Sequence, residues 1–132
     1  MPKKATLARC AFCELMAADA TDLPTGRIVT VIADTSPVTP GHHLVVPIRH
    51  VTDYFEMTEQ EVRQAHRVLR DLRERLRNDD PSIAGFNIGM NCGPAAGQTI
   101  PHAHIHLIPR RFGDTPDPRG GVRGVIPGEM SY

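Results

Sequence analysis

The apolar positions change period several times along the chain, and each change marks an element. "GRIVTVIAD" (26–34) is a β-branched run that predicts a strand. "HLVVPIR" (43–49) predicts a second, its unbroken apolar stretch implying burial on both faces. The turn-rich "TSPVTPGHH" separates them. Beyond Thr58 the period becomes helical: Val62, Ala65, Leu69, Leu72 and Leu76 form one stripe, with Arg, Glu and Asp on a solvated face. Thr58 and Glu61 stand at the N-cap and N3 positions of a capping box, so a long helix is predicted over about 58–78, stopping before "NDDP". "IAGFNIGMN" (83–91) and "HAHIHLIP" (102–109) predict the third and fourth strands, joined by the loop "CGPAAGQ" (92–98). "CAFCELMAA" (10–18) predicts a short helix after a Cys-x-x-Cys turn. Residues from about 112 to 132 carry too much Gly and Pro for regular structure, and are expected to form an ordered extension on the body or on a partner. The order strand, strand, helix, strand, strand implies an α+β fold with an antiparallel sheet.

Length and composition narrow the class without identifying a function. The 132 residues suit a single domain, 1–132. Fifteen basic and fifteen acidic residues cancel, which argues against a general nucleic-acid binder. No apolar run approaches the roughly 20 residues needed to cross a bilayer, so no membrane partner is expected. The start, "MPKKATLARC", lacks the apolar core of a secretory signal, and a cytoplasmic location is expected. Three cysteines are an odd number for a disulfide framework, whereas Cys10-x-x-Cys13 is half of a zinc site.

The informative pattern is three alternating histidines. In a strand, successive side chains point to opposite faces, so His102, His104 and His106 share one face while Ala103, Ile105 and Leu107 bury on the other. The histidine face is then expected to line a polar surface or pocket, its rings roughly 6–7 Å apart along the strand. Polar filling of a half-buried strand, a metal site completed from elsewhere, and nucleophilic catalysis all fit this pattern. Gly93, Gly97, Gln98 and Thr99 immediately upstream offer backbone amides and side-chain donors to an anion, which favours phosphoryl or nucleotidyl chemistry.

With those residues in view, His102-Ala103-His104-Ile105-His106-Leu107-Ile108 resembles the signature of the histidine triad nucleotide-binding proteins. "CAFCE", "TPGHHLVVPIRHV", "FNIGMNCGPAAGQTIPH" and "DPRGGVRGVIP" also resemble parts of bacterial members, in the same order. "PGHHLVVP", "AGQT" and "LIPRR" lie nearer the dinucleoside polyphosphate hydrolases than the phosphoramidases. The resemblance implies a homodimer of α+β subunits whose sheets join across a two-fold axis. It further implies a bound purine nucleotide cleaved at its α-phosphate through a covalent nucleotidyl-histidine, with His104 as nucleophile. His106 and His42 then belong to a histidine relay. Gln98 and Thr99 match phosphate and leaving-group contacts, Asn91 a polar residue near the phosphates, and Asp34 the residue that binds ribose hydroxyls. Of these, Asp34 has a plain alternative as the opening of the "DTSP" turn, and His42 as a core histidine. His43, His66 and Cys92 receive no role.

Some bacterial relatives combine the Cys pair with histidines at the positions of His50 and His102, which implies a structural Zn²⁺ held by Cys10, Cys13, His50 and His102. Mg²⁺ arriving with the substrate is also compatible with the resemblance. An adenosine 5'-phosphoramidate hydrolase, a dimeric nucleotide-binding adaptor with little turnover, and a catalytic zinc hydrolase using all three triad histidines are the competing readings. Gly124 departs from the pattern: a larger, often aromatic residue is expected in "GGVR-x-VIP", and its absence would widen the base or leaving-group pocket.

Overall fold

A computed structural model describes residues 10–19 and 25–132. The start of the chain and residues 20–24, part of the expected 1–132 domain, lie outside the described residues. Helix α1 (Ala11–Asp19) comes first, followed by strands β1 (Val29–Ala33) and β2 (His43–Pro47). Helix α2 (Glu59–Asp79), β3 (Gly85–Gly89) and β4 (Ile105–Arg110) complete the elements, with single turns of tighter helix at Tyr54–Glu56, Pro94–Ala96 and Gly121–Val125. The four strands form one antiparallel sheet in the order β1-β2-β4-β3. No helix among the described residues is long and apolar enough to cross a membrane.

Alternation along the strands sends two sets of side chains to two covers. Val29, Val45, Ile105 and Leu107 pack with Ala65 and Leu72 of α2. Leu44 and Val46 face the other way, against Cys10 just before α1 and against Phe12 and Met16 of α1. β2 is therefore buried on both faces, as its apolar run implies. The capping box forms: the Thr58 hydroxyl accepts from the Glu61 amide, and the Glu61 carboxylate accepts from the Thr58 amide. That carboxylate also receives Arg49 at 2.8 Å, which accounts for a glutamate only 3% exposed. Gln64 accepts from the amides of Ile28 and Val29 and so fastens α2 to the start of β1.

Several boundaries differ from expectation. α2 continues through Asn78 and Asp79, because the stop is set by Pro81: Asp80 before it is extended, and its amide closes the last turn on Leu76. The strands are shorter than their apolar runs. The larger change concerns β4, which starts at Ile105 rather than at His102. The preceding backbone bonds elsewhere, His102 N–H to Ile100 and Ala103 N–H to Val51, so His102 and His104 stand before the ladder. They are not on an open polar face either: α1 covers that side, leaving His102 0% and His104 8% exposed. Finally, the chain beyond β4 folds back over β3, with the turn Gly121–Val125 lying on that strand.

Candidate functional site

β4 and its lead-in place the triad histidines in line, yet each ring has a different partner. The His104 Nδ1–H donates to the His102 carbonyl at 2.8 Å. A neutral imidazole carries one proton, so this bond leaves the lone pair on Nε2. Phe12 packs edge-on against the His104 ring, 5.1 Å between centroids, and against His102 at 5.8 Å.

His106 pairs across the β2–β4 ladder with Leu44, and its ring meets His42 in the turn before β2. Gly41 makes that turn with φ of +93°, and a Cβ there would stand 3.1 Å from Pro109. The Val38 amide donates to His42 Nδ1 at 3.0 Å, so the proton of neutral His42 is on Nε2. That Nε2 lies 2.9 Å from His106 Nδ1 and 3.5 Å from a carboxylate oxygen of Asp34. His106 Nδ1 is thereby an acceptor, and its own proton is on Nε2. A backbone amide thus sets two tautomers in series, and adjacent rings offer a lone pair (His104) and an N–H (His106). Burial holds His42 and His106 below the ordinary histidine pKa, the Asp34 charge opposing this only in part, so both are neutral near pH 7. Asp34, His42 and His106 also lie close enough to share an ion, but the proton on His42 Nε2 makes them a relay rather than a ligand set.

His102 faces a second cluster. Its Nε2–H donates to the Pro47 carbonyl at 2.7 Å, turning Nδ1 toward Cys10 and Cys13, each sulfur 3.5 Å away. His50 Nδ1 lies 3.2 Å from the Cys13 sulfur. All four ligand atoms are within 4.8 Å of one another. Zinc bonds of roughly 2.3 Å to sulfur and 2.0–2.1 Å to nitrogen place tetrahedral ligands about 3.5 Å apart, so the donor set fits. Burial and the neighbouring Cys10 push the Cys13 thiol up to about 11. The three histidines thus turn to a thiol pair, a carbonyl and another histidine. One ion shared by the whole triad does not fit, which removes the catalytic zinc reading.

The remaining sites fall unevenly. A cavity of about 630 Å³ opens beside the relay, between the sheet and the C-terminal extension. His42, His106 and Asn91 line it, with Asn87 and Ile108 on the sheet side and Val122, Gly124 and Met130 on the other. Its guanidinium, from Arg110, is gripped by both oxygens of Asp114 and by Asn87. Gly124 does not leave a hole: Met130 Sδ occupies the space, 3.2 Å from where a Cβ would stand. Gln98 differs from expectation, since its carbonyl accepts from Gly93 and its NH₂ donates to Thr52 and Ile100, which braces the loop and leaves no free donor for phosphate. Thr99 is exposed beside it. One Asp34 oxygen caps the Ser36 amide and the other faces His42, so this residue opens the turn and also joins the relay. Phe12 and the Val38 amide were not singled out from sequence. Phe12 had a signal, because a residue between two cysteines aimed at His102 must lie beside the triad.

Comparison with known proteins agrees with this geometry. A family model described as the HIT domain matches residues 24–113. The chain is 33% identical over 106 residues to "Protein hit" of Bacillus subtilis, covering 76% of this chain and 70% of that protein. It is 33% identical over 88 residues to a bis(5'-nucleosyl)-tetraphosphatase (asymmetrical) of Schizosaccharomyces pombe. That match covers 67% of this chain and 48% of the relative, so the alignment spans about half the relative's length. Among solved structures, a Zn-bound histidine triad family protein from Mycobacterium smegmatis superposes with a TM-score of 0.69 at 33% identity, covering 84% of this chain and 86% of that one.

Proposed function

Because the chain belongs to the HIT domain family, we propose that it is a nucleotidyl hydrolase or transferase acting on AMP conjugates such as dinucleoside polyphosphates, through a covalent nucleotidyl-His104. The observation that carries this reading is the bond from His104 Nδ1–H to the His102 carbonyl, which presents an Nε2 lone pair without a general base. The lone pair attacks the α-phosphorus as the bond to the leaving phosphate breaks, and that phosphate departs as an anion. Water then attacks the same phosphorus, the P–N bond breaks with its electron pair returning to His104 Nε2, the proton lost by water passes to solvent, and AMP leaves. His106, neutral with its proton on Nε2, donates a hydrogen bond to the charge that develops on phosphoryl oxygen. His42 and Asp34 act through His106. In this reading Asn91 and Thr99 contact the phosphates and Asp34 the ribose hydroxyls.

The likeness to a bis(5'-nucleosyl)-tetraphosphatase supports polyphosphates rather than phosphoramidates as the substrate class. Cys10, Cys13, His50 and His102 would hold a structural Zn²⁺ that fastens α1 to the sheet and takes no part in bond breaking. Mg²⁺ enters only as a companion of the polyphosphate. Dimerisation through the open edge of β3, where Ile88 is 54% exposed, completes the reading.

The test is AMP release from diadenosine polyphosphates and from AMP-amine conjugates, by the wild type and by His104→Ala. The expected result is turnover that falls by about 10³-fold or more in the variant, with an acid-labile adenylylated peptide spanning His104 trapped from the wild type. No AMP from any substrate leaves the nucleotide-binding adaptor as the better account.

A further inference from the structure

His102 belongs to two sites at once. Its ring, 0% exposed, is fixed at both nitrogens: Nε2 on the Pro47 carbonyl at 2.7 Å and Nδ1 against the Cys10 and Cys13 sulfurs. Its main-chain carbonyl is the acceptor for His104 Nδ1–H. Four bonds therefore separate the imidazole of a zinc-ligand candidate from the oxygen that sets the tautomer of the proposed nucleophile. A second route runs through α1. Cys10 and Cys13 flank Phe12, whose ring sits edge-on against both His102 and His104.

We propose that His102 is a positioning residue through which occupancy of the Cys10–Cys13–His50–His102 donor set fixes the tautomer and direction of the His104 ring. With the donor set filled, the His102 ring and its peptide are held, and the carbonyl keeps the proton of His104 on Nδ1. With the set empty, no ion ties the two thiols to the two imidazoles, the His102 peptide gains freedom, and the proton of His104 divides between its nitrogens. His106 is insulated, because its tautomer is set by Val38 through His42 from the other end of β2. The metal cluster then controls the fraction of His104 able to attack, rather than fold stability alone. The catalytic half of this inference rests on His104 being the nucleophile; the structural half does not.

The experiment uses the full chain labelled with ¹⁵N-histidine, at about pH 8, above the ordinary histidine range. It compares a zinc-loaded sample with a chelator-stripped one, metal content being measured in each. The expected result is a single Nδ1–H tautomer for His104 when loaded and an averaged spectrum when stripped, with His42 and His106 unchanged. In parallel, kcat falls by about 10–100-fold while KM stays within about twofold. A stripped, folded chain whose His104 spectrum matches the loaded one overturns the proposal. Should stripping unfold the chain, cadmium in place of zinc decides: the larger ion keeps α1 attached but shifts the ring of His102. A His104 spectrum that moves partway supports the coupling, and one identical to the zinc form overturns it. A metal-dependent His104 spectrum without AMP release would refute the hydrolase reading while leaving this coupling intact.

Discussion

His42→Leu tests the relay most directly, since leucine fills a similar volume and removes both ring nitrogens. The wild-type side chain is 2% exposed and makes two bonds, from the Val38 amide at 3.0 Å and to His106 Nδ1 at 2.9 Å. Leaving a buried polar group unpaired costs about 1–3 kcal/mol. Val38 is an exposed residue and His106 is half-buried, so water reaches both and the low end applies. The summed loss is about 2–3 kcal/mol, against a net stability of roughly 5–15 kcal/mol, and the variant folds. The effect on turnover has a different origin. Without His42 the proton of His106 is free to sit on Nδ1, and the donor to the phosphoryl oxygen is present only part of the time. Complete removal of such a donor costs about 10²–10³ in kcat, so His42→Leu is expected to lose about 10–10². The assay is AMP release from a diadenosine polyphosphate in a cycle with His106→Ala. Because His42 acts through His106, adding His42→Leu to His106→Ala should change kcat little further. Effects that add to within about 0.5 kcal/mol would show the two residues acting independently and refute the series of tautomers.

Three further outcomes follow from the same geometry. His42 and His106 titrate below an unfolded histidine, so the unfolded chain binds protons first as pH falls; stability is full above about pH 6.5 and declines below it, which denaturant midpoints at pH 7.5 to 5.0 would register. A midpoint that holds or rises on acidification would contradict their burial as neutral rings. Thr58→Ala removes the acceptor of the Glu61 amide and should cost about 1 kcal/mol in chemical denaturation, with kcat unchanged. Gly124→Phe places a ring where Met130 Sδ now sits, so it should displace Met130 into the cavity and raise KM for a bulky leaving group while sparing single-nucleotide conjugates. Equal changes in KM for both substrates would dissociate this position from leaving-group selection.

The fold was legible wherever one local rule acted alone. The capping box and apolar stripe of α2 appear as the sequence implies, because N-cap chemistry and a 3.6-residue period are decided within the segment. Strand ends were less legible. Ladder length depends on the partner, and β4 starts late because Ala103 bonds Val51, a residue far off in sequence. The end of α2 was misplaced for a related reason: Asn78 and Asp79 have poor helical propensity, but the chain has no need to stop until Pro81 restricts Asp80. Gln98 shows the limit for side chains. Its type and position suit a phosphate donor, and only the surrounding carbonyls of Thr52 and Ile100 reveal that its amide is already committed.

The alternation of His102, His104 and His106 marked the candidate site but could not divide the work within it. Period two fixes which face a residue takes, whereas ring chemistry depends on what each Nδ1 meets, and those partners come from α1, from the backbone itself, and from the turn before β2. Identical side chains therefore acquire three chemistries: a metal-ligand candidate, a free lone pair and a hydrogen-bond donor. Burial holds His102 and His106 below the ordinary histidine range, and the His104 ring packs edge-on under Phe12. An exposed strand with the same alternation would offer three equivalent imidazoles, interchangeable between tautomers and protonated below pH 6.5, and could not keep a nucleophile beside a donor. The cover supplied by α1 is thus part of the proposed mechanism. A helix holding two thiols and an aromatic ring against the sheet is what turns a repeated residue into an ordered set of roles.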